Sequence, residues 1–261
     1  MLTSLDTISR FSRRNVSIWW TMAFQAGIIN AGGFIACQRF VTHTTGFATY
    51  IGNEFAHGNI HAALGMAAVP TFFLAGATTS GYFVDRRIAS HKNPLYSLMF
   101  GIIALAMLIV SFGGNAGFFG AFSEPLLMAR DYFLLAILCL SAGLQNGTIT
   151  SAAGSVVRTT HLTGITTDLG LGIVRAHSTQ YSDEVRKNEH RANWMRVGII
   201  GFFIFGSTIG AFCFYRFGYL GFLGPAAISA TLALLSLNYQ LRASKRASLL
   251  TQRNRGLKGI S

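Results

Sequence analysis

Six stretches of this chain are apolar over nearly the 20 residues that a helix needs to cross a bilayer. They are residues 17–37, 62–84, 94–112, 131–151, 197–216 and 219–240. The hydrocarbon core offers no water to a peptide N–H or C=O, so such runs must satisfy their backbone internally, as helices. Hydrophobic residues make up 51% of the sequence and charged ones only 11%, against roughly a quarter in soluble domains. The fold class this implies is an all-α polytopic membrane protein with six transmembrane helices. A soluble domain hiding the same runs would need a far larger core than this length supplies.

Two shorter apolar stretches remain, 46–58 and 162–175. A helix of about 13 residues covers only about 20 Å, against a core of about 30 Å, so neither is expected to cross. The distribution of basic residues agrees. With six spans and the N-terminus inside, all of the 21 Lys and Arg residues except Arg39, Arg130 and Arg216 lie on the cytoplasmic side. Letting the short stretches cross would move Arg86, Arg87, Lys92 and Arg158 outside and weaken that asymmetry. The expected location is the cell membrane, with both termini cytoplasmic and the bilayer as partner. The net charge of +12 is then the ordinary excess of cytoplasmic loops, and no basic–aromatic module points to nucleic acid. Cys37, Cys139 and Cys213 form no Cys-x-x-Cys pair, so neither a disulfide framework nor a zinc site is expected. No cleaved signal peptide is read at the N-terminus, and no cofactor is expected.

The short stretches contain one sentence written twice. "HTTGFATYIG" (His43–Gly52) and "HLTGITTDLG" (His161–Gly170) both fit His-x-Thr-Gly-x-x-Thr-x-[Ile/Leu]-Gly, allowing Tyr50 where the second copy has Asp168. "GIINA" at Gly27–Ala31 precedes the first copy as "GLQNG" at Gly143–Gly147 precedes the second. "FFLAGAT" at Phe72–Thr78 follows the first as "FFIFGST" at Phe202–Thr208 follows the second. The displacements are 116, 118 and 130 residues, and the polar insert His177–Trp194 accounts for the last jump. The chain reads as one membrane domain, repeat one about 17–115 and repeat two about 131–240, with a basic tail at 241–261. Three spans per repeat is an odd number, so the second copy enters from the opposite face, giving two inverted three-helix repeats. Each repeat then carries a short re-entrant or interfacial helix.

The candidate solute site lies where two re-entrant helix starts would meet. Thr45 is a candidate N-cap and Gly46 permits close backbone approach; the second copy offers Thr163 and Gly164. Helix starts present free N–H groups and a positive dipole end, which favours an anionic or acceptor-rich solute. His43 and His161 are donor–acceptor groups titrating near neutral pH; they either touch solute or protons, or hold the loop by bonding backbone. Two histidines alone do not make a metal site. Asn30 and Asn146, late in their spans, either cap the neighbouring loop or face solute; Gln145 adds a second amide in the later copy. Asp168 is the stronger ionisable candidate, pairing with Arg158 or His161 or serving proton coupling, whereas Glu54 can reach interfacial water. Arg39 and Arg158 either anchor an anion or snorkel to the interface. "FFLAGATTSG" and "FFIFGSTIG" read as packing faces, and the Arg242–Lys258 segment reads as a headgroup-facing or disordered tail.

The first His-x-Thr-Gly with its short helix, and "GLQNG…THLTGITTDLG" in the second half, resemble the YoaK-like family of uncharacterised bacterial integral membrane proteins. The resemblance spans roughly Ile18 to Tyr239. Family members often have Asn after the first Thr-Gly, where this chain has Phe47, so no side-chain amide is expected to act there. The resemblance implies the six-span fold and no catalytic residue.

Of the functions compatible with this pattern, a small-solute transporter fits best, its site formed by Asn30, His43, Thr45, Gly46, Asn146, His161, Thr163, Gly164 and Asp168. The alternatives are a passive channel and a non-transporting scaffold or regulator. An enzyme is not expected: there is no HExxH and no nucleophile elbow, and nothing in the sequence supplies a nucleophile. An oligomer remains compatible.

Overall fold

The computed structural model describes residues 13–124, 129–152 and 162–258, with side chains between 15 and 242. Among the described residues there is no strand. The helices are α1 (Arg13–Cys37), α2 (Thr44–Ala56), α3 (Ile60–Ser80) and α4 (Tyr96–Asn115), then α5 (Ala129–Ala152), α6 (Leu162–His177), α7 (Asp183–Phe217) and α8 (Leu223–Lys258). A π-helical turn at Gly81–Asp85 and a last turn at Arg86–Ala89 prolong α3; a 3-10 turn at Gly218–Phe222 separates α7 from α8.

Among the described residues, four stretches are long and apolar enough to cross a membrane: Ile60–Ala89, Tyr96–Asn115, Tyr132–Ala152 and Asp183–Arg242. The last, at 60 residues, contains both α7 and α8, broken where Gly218 takes a φ of 54°. α1 has the length, 25 residues, but Asn15, Gln25 and Asn30 dilute it. Those amides are turned inward: Asn15 and Gln25 are buried and Asn30 half-buried. The short helices have 13 and 16 residues, about 20 and 24 Å of rise.

Two crossings of bare backbone organise the core. A Cβ on Gly27 would come closer than 3.0 Å to Phe203 O and Ser207 N, and one on Gly206 equally close to Phe24 O, so α1 and α7 touch main chain to main chain. Gly143 meets Phe73 O, and Gly76 meets Leu140 O and Leu144 N, in the same way between α5 and α3. The crossings correspond by number. Phe24 and Gly27 plus 116 are Leu140 and Gly143; Phe73 and Gly76 plus 130 are Phe203 and Gly206. Side-chain volume excluded from these seams lets dispersion and inter-helix polar contacts act at short range. Ser207 Oγ donates to Gly27 O at 3.2 Å, and the Ser80 and Thr148 hydroxyls pair at 3.0 Å.

Contacts along each pair fix its direction. Trp20 lies on Gly198, Ile28 on Gly210 and Phe214 on Gly32, so α1 and α7 run the same way. Tyr132 on Gly65 and Ser80 on Gly147 make α3 and α5 parallel too. α4 and α8 are antiparallel: Gln240 Nε2 donates to Pro94 O at 2.6 Å, while Tyr219, just before α8, lies on Gly114. Deeper still, Gln145 Nε2 donates to Met22 O at 2.8 Å and Gln25 Nε2 to Ser229 Oγ at 2.6 Å, tying α5 and α8 to α1. At one end, Trp20 stacks on Phe202 with centroids 5.0 Å apart and meets Trp194 edge-on at 5.9 Å.

Candidate functional site

The first motif is built by a chain that retraces its own helix. From Asn30, α1 runs two turns outward to Cys37, about 10 Å. Gln38 then takes a left-handed φ of 53° and the chain comes back. Val41 is buried against Gly33, whose missing side chain makes the room. Thr42 returns to the level of Asn30, where Asn30 Oδ1 accepts from Thr42 Oγ1 at 2.8 Å and from Thr42 N at 3.4 Å. Asn30 therefore takes the loop-holding option of the two open to it.

His43 is the N-cap of α2, exposed, and its side chain makes no capping hydrogen bond. The expectation that Thr45 caps this helix is corrected: the helix begins at Thr44, and Thr45 lies exposed within its first turn. The reason is visible at Gly46, where a Cβ would sit 3.0 Å from His43 Nδ1. The absent side chain lets the imidazole fold over the first turn and carries the helix start back to His43. Phe47, one step on, is buried and pins the helix inward. The Arg39 guanidinium lies 4.8 Å over the Tyr50 ring, an amphipathic anchor on the outer part of α2. Its Nη1 donates to Gln38 O at 2.9 Å. Glu54 Oε2 accepts from Asn59 Nδ2 at 2.9 Å in the exposed turn after α2.

In the second half, His161 and Arg158 lie outside the described residues. Thr163, Gly164 and Asp168 are exposed on α6, and Gly164 has nothing within 4 Å of where a Cβ would stand. Asp168 makes no ion pair among the described residues. Asn146, 116 residues after Asn30, is buried, and its Oδ1 has no partner among the described residues. Leu162 opens α6 beside Phe203, Ile204, Ser207, Thr208 and Ala211 of α7, over a mostly apolar groove of about 590 Å³. The other end of α6 reaches Asn193 and Glu189 through Gly172. α6 is thus antiparallel to α7 and starts level with Ser207, midway along the apolar part of that helix.

α2 packs on α3 and α6 on α7, and neither short helix packs extensively on the other. Sequence reasoning missed Gln25 and Ser229, although a Gln inside an apolar run was a signal in plain view. It also missed the cluster around Glu189, whose partners lie on two different helices. Among the described residues, no group of three or more His, Cys, Asp or Glu side chains is placed to hold a metal.

The described residues are all helical apart from turns and loops, and several of the helices are long and apolar enough to cross a bilayer, which is the class of an α-helical membrane protein. The chain belongs to the family described as a protein of unknown function, DUF1275, whose model matches residues 18–235. No curated protein and no solved structure matches it.

Proposed function

We propose that this protein is a six-span cell-membrane transporter for a small solute, with α2 and α6 as re-entrant helices of two inverted repeats. One observation carries the reading: the Asn30–Thr42 contact returns the chain to the level of Asn30, about 10 Å inside the end of α1. Irregular backbone at that depth is tolerated only where it is buried in protein or lines a wet cavity. The helix directions favour the same arrangement. α1 runs parallel to α7, α3 parallel to α5 and α4 antiparallel to α8, the three relations that six alternating spans require. In that arrangement α2 ends toward one face and α6 toward the other. The resemblance to YoaK-like proteins and the distribution of Lys and Arg fit it too, with both termini cytoplasmic.

In this reading the solute meets the starts of the two short helices. His43 leaves the first-turn N–H groups of α2 uncapped, and an acceptor-rich or anionic solute would satisfy them. Thr45, Thr163, Gly164 and Asp168 offer exposed groups, Gly46 lies half-buried under the His43 ring, His161 completes the second motif, and Asn30 and Asn146 hold the approach. Transport, rather than catalysis, suits a site with donors and no nucleophile. The test is flux of a broad anion and metabolite panel in proteoliposomes, with and without an imposed proton or sodium gradient. Gradient-coupled accumulation abolished by His43→Ala supports transport. Rapid uncoupled flux identifies a channel instead. Folded protein that moves nothing in the panel, beside a reproducible binding partner, favours a scaffold.

A further inference from the structure

The two short helices are anchored by different chemistry. α2 joins α3 through a tight turn at His57–Asn59, where His57 N donates to Asn53 O at 3.1 Å and Asn59 N to Glu54 O at 2.9 Å. α6 joins α7 through a five-residue turn, in which Tyr181 N donates to Ser178 O at 3.4 Å and Ser182 Oγ caps α7 by accepting from Val185 N at 3.4 Å. The first turns of α7 are polar, "DEVRKNEHRANWMR", and beside this turn stands a charge cluster. Glu189 Oε2 accepts from Arg196 Nη1 at 2.9 Å, and Glu189 Oε1 lies 3.5 Å from Arg175 Nη1 on α6. Asn193 Oδ1 accepts from the same Arg196 Nη1 at 2.6 Å.

Gly172 is the floor of this cluster. A Cβ there would come closer than 3.0 Å to Asn193 Oδ1, Arg196 Nη1 and Glu189 Oε2. The Glu189 and Arg196 side chains are each only 17% exposed, while Arg175 is 42% exposed. The inner pair is therefore largely withdrawn from solvent screening, and the arm to α6 is not. α6 packs extensively only on α7, through the buried Ile165, Gly172 and Ala176 and through His177, whose ring meets that of His190 edge-on at 5.2 Å.

We propose that the Arg175–Glu189–Arg196 bridge is an ionic latch that docks α6 on α7, and that its release lets α6 swing away and open the groove under Leu162. The latch is a feature of one repeat only. It makes the face bearing Arg175 and Arg196 electrostatically gated, while among the described residues no ion pair joins α2 to α3. Its consequence for solute access rests on the transport reading above; the latch itself does not.

Electron-spin distance measurements on the full chain in lipid nanodiscs test it. Nitroxides go on Val174→Cys in α6 and Leu98→Cys in α4, both exposed positions, in a Cys213→Ser background, because Cys37 and Cys139 are buried. The parent gives one narrow distribution at about 0.1 M salt. Glu189→Gln removes the charge, and Gly172→Ala keeps every charge but pushes the Glu189 and Arg196 side-chain ends off their places over α6. Each is expected to raise the longer-distance population at least threefold. High salt shifts the parent the same way, because Arg175 is accessible to counterions. Asp183→Asn, which removes the exposed pair with Arg186, changes nothing. Distributions of folded Glu189→Gln and Gly172→Ala that superimpose on the parent overturn the latch. So does opening in Gly172→Ala alone, which would make docking a matter of packing. Opening of both variants with unchanged solute flux leaves the latch standing and removes its control of solute access; opening of both in a folded protein that moves no solute leaves the latch standing and removes the transport reading.

Discussion

Within α7, two glycines five residues apart should respond to the same substitution with opposite signs. Gly206 faces Phe24 O across the crossing with α1, closer than 3.0 Å to where a Cβ would stand; Gly201 has nothing within 4 Å. Ordinary carbon contacts begin near 3.5 Å, so Gly206→Ala forces the helices apart by roughly 1 Å. The obstacle is a carbonyl of a packed helix, not the end of a flexible side chain. The cost belongs at the upper end of overpacking, about 3 kcal/mol. Alanine returns about 1 kcal/mol through helix propensity, leaving a net loss of about 2 kcal/mol. Gly201→Ala has only the gain. Reversible unfolding in mixed micelles, followed by far-ultraviolet circular dichroism, reads both. The double variants sharpen the test. Gly27→Ala with Gly206→Ala share one crossing, and once it has parted the second methyl adds little. Gly76→Ala with Gly206→Ala act at separate crossings and should add. A Gly206→Ala protein as stable as Gly201→Ala refutes the backbone crossing. Full additivity of Gly27→Ala with Gly206→Ala refutes the shared seam.

Asn30→Ala should cost about 1–2 kcal/mol in the same assay through the lost Thr42 contacts, and flux should fall more than stability if that loop shapes the site. Ser229→Ala strands Gln25 Nε2 beside an Oε1 that already lacks a partner; it should destabilise by about 1–3 kcal/mol, and adding Gln25→Met should recover most of that. Gly218→Ala should cost about 1 kcal/mol, because only glycine sits easily at its positive φ; unchanged stability would show that α8 leaves α7 by another turn. Single cysteines at Ser90 and Ser123 should react with an impermeant maleimide from opposite faces of sealed vesicles; labelling of both from one face would remove the six-span arrangement.

The helices were largely legible because apolar length is a local property, and 162–175 misses the observed α6 by only its last two residues. Glycine pairs were visible as packing faces, yet nothing local says that Gly27 meets Phe203 rather than a nearer helix. The start of α2 was misread for a physical reason. Thr45 is the better cap by side-chain chemistry, but Gly46 makes room for the His43 ring and the backbone follows the room. The two-sided character of Asn30 was settled by Thr42, a contact that depends on a left-handed Gln38 no composition signals. Glu189 could not be read at all, since its value lies in two arginines on different helices.

The crossing of α1 with α7 has a consequence for biogenesis. Trp20 and Gly198 are neighbours in space but lie far apart along the message. At about 5–20 residues per second, α1 leaves the ribosome roughly 10–35 s before the surface that covers it. α3 waits for α5 less than half as long. The middle of the protein therefore has the means to assemble first. α1, with Gln25 still lacking Ser229, must be sheltered by the insertion machinery or rest unpacked in lipid until α7 and α8 arrive. A nascent chain halted near Gln180 should hold its first helix loosely, open to exchange and extraction, while the helices after it are already closed.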